Sequence, residues 1–261
     1  MYRPSFKTKN NGVPVLSKHD IEIIGENFIR DFCPGALDTP QEIDVEGFIE
    51  MYLGLNVDYQ YLSNDGRYLG MMVFNDTDKV IVYNPEKNRA DYLHVKSRTV
   101  IIDNTLLEGN QEHRYRYTMA HEGAHDIFHS GFYAYNPNQM SFFDNPSDNL
   151  PMVQCRSVGA SCGFNKSWTD TEWMEWQSNF FSSVLLMPSI AVRKVVEQSS
   201  TRKVPRELKW YGIVHAVSRT FNVSPEAAKY RLEELGCIRH GLLGDVGIAN
   251  DDFLFSLFDS K

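Results

Sequence analysis

One five-residue motif constrains this chain more than any other feature: His121-Glu122-Gly123-Ala124-His125. Two histidines four positions apart on a helix lie one turn above the other, on one face. Both imidazoles can then reach a single metal ion, with Glu122 beside it as a potential base. Because apolar or small residues recur around the motif at helical spacing, the sequence predicts an amphipathic helix over about residues 112–130. Its predicted face consists of Tyr117, Ala120, Ala124, Ile127, Phe128 and Gly131.

His129 continues the same four-residue step, but it lies too far along the helix to be a third ligand. Eight residues at a rise of about 1.5 Å each separate it from His121 by about 12 Å. A tetrahedral ion holds each ligand nitrogen about 2 Å away and therefore cannot take both. We interpret His129 as a cap or as a group that supports a ligand.

A catalytic metal site needs three protein ligands and an open position, so a second element has to supply the third ligand. A second helix, predicted over about residues 170–187, offers Glu175. The helix is expected to begin at a capping-box pattern, Thr169 followed by Glu172, and to stop at Pro188.

Glu175 belongs to a stripe of polar or small residues on an otherwise bulky apolar helix. Ser178 and Ser182 would let this helix approach the histidine helix closely, and Asn179 could hold the second ring nitrogen of a ligand histidine. The alternative is that Glu175 lies on a solvated edge of the helix, in which case Glu172 is the reserve ligand.

Composition and charge exclude several classes of protein. The 261 residues include 34 acidic and 26 basic side chains, a net charge of −8, which argues against nonspecific coating of nucleic acid or anionic membranes. No apolar run reaches the roughly 18 residues of a membrane span, and the start lacks the apolar segment of a signal peptide. Four cysteines then predict reduced thiols rather than a disulfide framework. We therefore expect a cytoplasmic protein with no membrane partner.

The chain predicts an α+β fold with three parts. A larger domain that contains the histidine motif and Glu175 is expected at residues 1–200, a helical region at 201–240 and an acidic, partly apolar tail at 241–261. Helices are predicted from Asp20 to Ile29 and from Val45 to Leu53. A small, mostly antiparallel sheet is predicted at about residues 55–103, because four β-rich runs are bounded by turn residues. The runs are Val57–Leu62, Tyr68–Phe74, Lys79–Tyr83 and Thr99–Ile102.

The last of these runs, Thr99–Ile102, precedes the histidine helix and is expected to be the sheet edge on which an extended substrate pairs. The region at 201–240 is read as two helices around the turn Phe221–Ser224, with Ser224 as N-cap and Gly236 at the C-terminal end. This pair resembles a helix-turn-helix. DNA binding there remains open but less favoured, because a helical pair packed on the first domain explains the same apolar positions.

Local charge is what keeps the DNA-binding alternative open. Residues 201–240 carry four more basic than acidic side chains in an acidic protein. The basic side chains are Arg202, Lys203, Arg206, Lys209, Arg219, Lys229, Arg231 and Arg239, and the acidic ones are Glu207, Glu226, Glu233 and Glu234.

Two segments together resemble the ImmA/IrrE family of zinc metallopeptidases. The first is Arg116-Tyr117-Thr118-Met119-Ala120-His121-Glu122-Gly123-Ala124-His125, similar to the family's R-F-T-x-A-H-E-x-G-H helix. The second, from Glu175 to Pro188, reads EWQSNFFSSVLLMP and is similar to its E-x-x-A-N-x-F-A-x-x-L-L-M-P helix. The resemblance spans about residues 21–236 and implies a zincin-like fold with active-site helices at about 112–130 and 170–187.

Carried over residue by residue, the resemblance implies one Zn²⁺ per chain. It implies His121, His125 and Glu175 as ligands and Glu122 as the base that moves a proton from water to the leaving amine. The same donor set also binds manganese, iron or cobalt, so zinc follows from the motif and the resemblance. The implied substrate is a helix-turn-helix transcriptional repressor of a mobile element or a stress response.

Several points stay open at this stage. A donor for the developing oxyanion is expected from Tyr133, Tyr135 or His129, which the sequence does not rank. The segment between His125 and Glu175 is longer than the family leads us to expect; it contains Cys155 and Cys162, which we interpret as ordinary thiols rather than a second metal site. A metal-holding module that binds a repressor without cutting it, or a DNA-binding regulator, is the alternative to the peptidase.

Overall fold

The computed structural model of the chain describes residues 1–134, 152–156, 168–200 and 209–238. Its helices are α1 (Lys18–Phe32), α2 (Gly35–Asp38), α3 (Glu112–Tyr133), α4 (Asp170–Leu186), α5 (Ser189–Ser200), α6 (Lys209–Phe221) and α7 (Pro225–Glu234). Its strands are β1 (Asn56–Gln60), β2 (Tyr68–Val73), β3 (Thr77–Asn84), β4 (Arg89–Val95), β5 (Thr99–Asp103) and β6 (Met152–Arg156). A π-helix spans Gly47–Tyr52 and a 3₁₀ turn spans Asn104–Leu107. The fold is therefore α+β, as predicted.

The chain separates into two compact units. One comprises Arg3–Ile21 and Val45–Ser182, and it contains the six strands of the described residues, α3 and most of α4. The other comprises Met1–Tyr2, Glu22–Asp44 and Ser183–Lys261, with helices α2, α5, α6 and α7. The domain boundaries predicted at residues 200 and 240 stay predictions, and the tail at 241–261 lies outside the described residues.

The strands of the first unit form two sheets instead of the single predicted one. Four strands pair in the order β1-β5-β2-β6, with β1 and β5 parallel and the other neighbours antiparallel. The strands β3 and β4 form a separate antiparallel hairpin. A cluster of buried aliphatic side chains, including Met71, Val80 and Ile101, packs where residues of both sheets meet.

The expectation that Thr99–Ile102 offers an open edge is wrong. These residues lie in β5, which is hydrogen-bonded to β1 on one side and to β2 on the other. All five residues of β5 are buried, the pattern of a strand inside a sheet and not of one that receives a peptide. A substrate strand therefore cannot pair with it.

The segment predicted as a helix from Val45 to Leu53 is helical but is mostly a π-helix, in which the amide of Leu53 donates to the carbonyl of Phe48 at 2.9 Å. This turn packs against α3. A Cβ atom at Gly123 would lie 2.2 Å from Cδ1 of Ile49, so any other residue there would force the end of the Ile49 side chain to move. The glycine inside the motif is thus a packing residue.

In the second unit, the predicted turn between two helices is confirmed. Asn222 adopts a left-handed conformation with φ of 51°, and the side chain of Ser224 caps α7 by accepting from the amide of Ala227. Arg231 of α7 is 1% exposed, and its guanidinium donates to both carboxylate oxygens of Glu22 and to the carbonyl of Met187. A buried, fully paired arginine ties α7 to α1 within this unit.

Among the described helices, none is by itself long and apolar enough to cross a bilayer. The bent pair Asp170–Leu186 and Ser189–Ser199 reaches that length and composition only when its two members are taken together, as buried core helices also do.

Candidate metal centre

Helix α3 carries the histidine motif through the interior of the first unit. Twelve of its residues are buried, so the buried surface is far wider than the one apolar face predicted from periodicity. His121, Glu122 and His125 are all 0% exposed. Polar groups with no access to water need partners inside the protein. The site is therefore defined by what each of these side chains meets.

The two histidines and Glu175 converge as the spacing predicts. The Nε2 atoms of His121 and His125 lie 3.0 Å apart. The carboxylate of Glu175, from helix α4, lies 3.3 Å from Nε2 of His121 and 3.4 Å from Nε2 of His125. Among the described residues, these three form a group whose ligand atoms all lie within 4.8 Å of one another.

These distances fit a bound metal ion. A tetrahedral ion with bonds of about 2 Å holds its ligand atoms about 3.3 Å apart, close to the three separations found here. The chemistry of the donors points the same way. Two ring nitrogens and a carboxylate that face each other repel unless a proton or a cation lies among them. The group His121, His125 and Glu175 is a metal-binding group.

The electrostatics of Glu175 depend on its histidine neighbours. Burial by itself would raise the pKa of this carboxyl, but the neighbouring imidazoles of His125 and His121 hold the pKa well below its ordinary value. Burial lowers the pKa of His125. These shifts favour an ionised Glu175 and a neutral His125, the forms in which both bind metals.

Asn179 lies one turn after Glu175 and contacts the first ligand from behind. Its Oδ1 atom is 3.1 Å from Nδ1 of His121 and also accepts from the hydroxyl of Tyr117 at 2.9 Å. An amide oxygen only accepts, so Nδ1 of His121 carries the proton and Nε2 is left as the electron-pair donor. The structure thus places Asn179 where a residue that orients a ligand is expected.

His129 lies behind the second ligand and not at the metal position. Its Nδ1 atom is 2.9 Å from Nδ1 of His125, and its Nε2 atom is 3.0 Å from Oε1 of Gln177. His129 is 0% exposed, and burial holds its pKa well below the ordinary value, so the ring is neutral. Both ring nitrogens are engaged inside the protein, which leaves no donor for a substrate.

The side chain of Glu122 lies against strand β2, next to Gly70. Burial raises its pKa to about 8; His121 opposes the rise and the charge of Glu175 adds to it. Neither carboxylate oxygen has a hydrogen-bond partner among the described residues, and the amide of Met72 lowers the pKa without reaching hydrogen-bond geometry. An isolated buried carboxylate is costly, and such groups concentrate where a protein does chemistry.

Gly70 is what makes room for this carboxylate. A Cβ atom at Gly70 would lie 2.5 Å from Oε1 of Glu122 and 2.6 Å from Cγ2 of Thr118. Any side chain on this residue of β2 would displace Glu122. The glycine is therefore part of the seat of the buried carboxylate.

The remaining predicted residues fall in different places. Glu172, the reserve ligand, is exposed and completes the capping box, its carboxylate accepting from the amide and the hydroxyl of Thr169. Tyr133, at the end of α3, stacks on Phe74 at 4.5 Å between ring centroids. Burial, and then the charge of Glu175, raises the pKa of its phenol. Tyr135 lies outside the described residues.

The cysteine prediction is only partly covered. Cys155 is a residue of β6, paired in register with Gly70, and Cys162 lies outside the described residues. Their interpretation as ordinary thiols stays a prediction.

Sequence reasoning missed two residues of this site. Gly70 stands in an apolar strand, where a single glycine signals close approach of another group, and that signal was readable. Gln177 lies two residues after Glu175 and therefore outside the polar stripe of the helix, since neighbours on a helix face lie three or four residues apart. No local pattern in the sequence links Gln177 to the ligands.

The DNA-binding alternative loses part of its basis. Two of the basic side chains in the helical pair, Lys229 and Arg231, are 3% and 1% exposed. Contacts to phosphates require accessible cations, so neither side chain is available to DNA. Arg202, Lys203, Arg206 and Arg239 lie outside the described residues.

A comparison with protein families matches the part of the chain that carries Glu175 and Asn179. Residues 163–233 match the model of the IrrE N-terminal-like domain, Peptidase_M78, a range that includes Glu175 and Asn179. A comparison with curated proteins finds no match to the chain. Together with the histidine motif of α3, which meets Glu175 in space, the match confirms the identification made from the sequence. The chain is thus similar to the IrrE N-terminal-like domain, Peptidase_M78, over residues 163–233, and His121, His125 and Glu175 form a metal-binding group consistent with a metallopeptidase of this type.

Proposed function

We propose that the protein is a zinc-dependent endopeptidase that cleaves a regulatory protein, a helix-turn-helix transcriptional repressor of a mobile element or a stress response. The observation that carries the peptidase chemistry is the convergence of His121, His125 and Glu175 beside the buried carboxylate of Glu122. The substrate class rests on the resemblance to the ImmA/IrrE family and on the match to the IrrE N-terminal-like domain.

We assign the role of general base to Glu122. When bound, zinc supplies Lewis-acid chemistry, acidifying water and polarising a peptide carbonyl. Glu122 takes a proton from the attacking water and returns it to the nitrogen of the leaving amine. Burial supports this role because it raises the pKa of Glu122 to about 8, so the group holds a transferred proton more tightly than an exposed carboxylate does.

Tyr133 is the residue we assign to the developing negative charge on the substrate carbonyl. Burial, and then the charge of Glu175, raises the pKa of its phenol, which supports a role for Tyr133 near the metal group. The phenol stays protonated, because its pKa is raised, and can donate a hydrogen bond. His129 is not suited to this task, since His125 and Gln177 engage both of its nitrogens.

Zinc is the proposed metal, at one ion per chain. Two imidazoles and one carboxylate, with a position left for water, form a common ligand set of catalytic zinc. The proposed substrate and the net charge of −8 fit a protein that acts on other proteins in the cytoplasm.

The test compares wild-type protein with Glu122→Gln in the source organism. Newly formed protein N-termini are labelled and identified by mass spectrometry, and zinc is measured in both purified proteins. We expect zinc in both, and new termini within a helix-turn-helix protein only with the wild type. Equal cleavage by Glu122→Gln would contradict the assignment of the base, and no cleavage by either would favour the module that binds without cutting.

A further inference from the structure

Gln177 is fully buried and connects the backbone of the first unit to the second metal ligand. We propose that Gln177 is a positioning residue which, through His129, fixes the tautomer of His125 that presents an unprotonated Nε2 to the metal. The proposal rests on the proposed metal site and adds the group that orients one of its ligands.

The chain of hydrogen bonds has a fixed direction, which begins at a proline. The Nε2 atom of Gln177 lies 3.0 Å from the carbonyl oxygen of Pro14. A carbonyl oxygen only accepts, so the amide group of Gln177 must turn its NH₂ toward Pro14. Its Oε1 atom is then held toward His129.

The second step assigns the proton of His129. Oε1 of Gln177 is an acceptor without a hydrogen, and it lies 3.0 Å from Nε2 of His129. Nε2 of His129 must therefore carry the hydrogen. A neutral imidazole has only one, so Nδ1 of His129 is an acceptor.

The third step assigns the proton of His125. Its Nδ1 atom lies 2.9 Å from Nδ1 of His129, and with an acceptor opposite, it must donate. Nε2 of His125 is then the electron-pair donor that faces Glu175 and His121. With Asn179 behind His121, each ligand histidine has its own acceptor chain, and both present Nε2 to the same point.

A purely structural role for Gln177 makes the opposite prediction for one substitution. Glutamate keeps an oxygen toward His129 but loses the NH₂ group that binds Pro14 and brings in a buried charge. Leucine keeps the buried volume and brings no charge, but offers His129 no acceptor. If Gln177 only fills space, glutamate should weaken zinc binding more than leucine does, because it buries a charge. If Gln177 orients the ligand, leucine should weaken zinc binding more, because it offers His129 no acceptor.

Trp173 supplies the matched control. Its Nε1 atom also donates to the carbonyl of Pro14, at 3.1 Å, and it lies on the same helix α4. Trp173→Phe removes one hydrogen bond at Pro14 and leaves the path from Gln177 to His125 untouched. It measures how far a disturbance at Pro14 alone affects the site.

The experiment measures zinc affinity at pH 8, where imidazoles are neutral, by competition with a chelating dye. We expect Gln177→Leu to weaken zinc binding by about 10- to 100-fold. Gln177→Glu should stay within about threefold of the wild type, since the acceptor is retained. Trp173→Phe should match the wild type.

A second measurement needs no variant. Two-bond ¹H–¹⁵N spectra of the zinc-loaded wild type should show the hydrogen of His125 on Nδ1 and that of His129 on Nε2; the reverse assignment would overturn the proposal. The proposal would also be overturned if Gln177→Leu bound zinc like the wild type. The same holds if Gln177→Glu bound zinc as weakly as Gln177→Leu. Wild-type protein that binds no zinc would contradict the proposed function itself, a different result from any of these.

Discussion

Replacing Gly70 by alanine is the sharpest perturbation that this site offers, because it acts on the base and on none of the ligands. The added Cβ would lie 2.5 Å from Oε1 of Glu122, whereas non-bonded heavy atoms settle at about 3.5 Å. The carboxylate must therefore retreat by about 1 Å, or β2 must move. A displacement of this size in a catalytic group costs about 100-fold in rate. We expect kcat/KM to fall by about that factor while zinc content stays unchanged.

The assay uses the substrate found by labelling new N-termini, with initial rates at several concentrations and zinc measured on the same preparations. Overpacking by one methyl group also costs about 1–3 kcal/mol of stability, so urea unfolding is recorded beside the kinetics. Gly131→Ala is the control. It lies on the same helix as Glu122, its Cβ would meet nothing within 4 Å, and it should leave both zinc and activity unchanged.

One further variant separates displacement of the base from crowding in general. The added Cβ would also meet Cγ2 of Thr118 at 2.6 Å. The double variant Gly70→Ala/Thr118→Ser removes that methyl and leaves the contact with Glu122. If the double variant regains full activity, or if Gly70→Ala alone retains it with zinc bound, the reasoning that β2 seats the base is refuted.

Three other outcomes are expected. Alanine in place of Glu175 or His121 should reduce the zinc content, measured by elemental analysis, from about one ion per chain to near zero. A chelator should lower the melting temperature of the wild type but not of these variants. Zinc retained by Glu175→Ala would exclude this carboxylate as a ligand. Glu22→Ala should reduce the free energy of unfolding by about 3 kcal/mol in urea, because it leaves the buried guanidinium of Arg231 without its main partner; a change below about 1 kcal/mol would mean that water replaces the carboxylate. Ser224→Ala should cost about 1 kcal/mol through loss of the N-cap of α7, with no effect on zinc.

The parts of the site that the sequence could predict are those set by a single helix. The spacing of His121 and His125 places both rings on one face whatever surrounds them. The capping box at Thr169 and the N-cap at Ser224 are equally local, and both have the predicted hydrogen bonds. Asn179 could be placed because it follows Glu175 by one helical turn.

What the sequence could not predict depends on contacts between distant segments. The carbonyl of Pro14 meets Gln177 across more than 160 residues, and no local pattern records that contact. The order of the sheet is of the same kind: β5 pairs with both β1 and β2, so an apolar strand that read as an edge is interior. Strand β4 was not predicted, because most of its residues are charged or exposed and it lacks the apolar run by which strands are recognised.

The metal-binding group combines two residues that are close along the chain, His121 and His125, with a distant one, Glu175. Different factors fix the positions of the near pair and of the distant ligand. About fifty residues lie between His125 and Glu175, and contacts between α3 and α4 bring Glu175 to the histidines, such as the contact of Phe128 with Phe181 at 5.2 Å between ring centroids. Between His121 and His125, by contrast, one added residue would turn the second imidazole by about 100° around the helix axis. The place of Glu175 thus depends on the packing of two helices, whereas the two histidines depend on exact spacing along one helix.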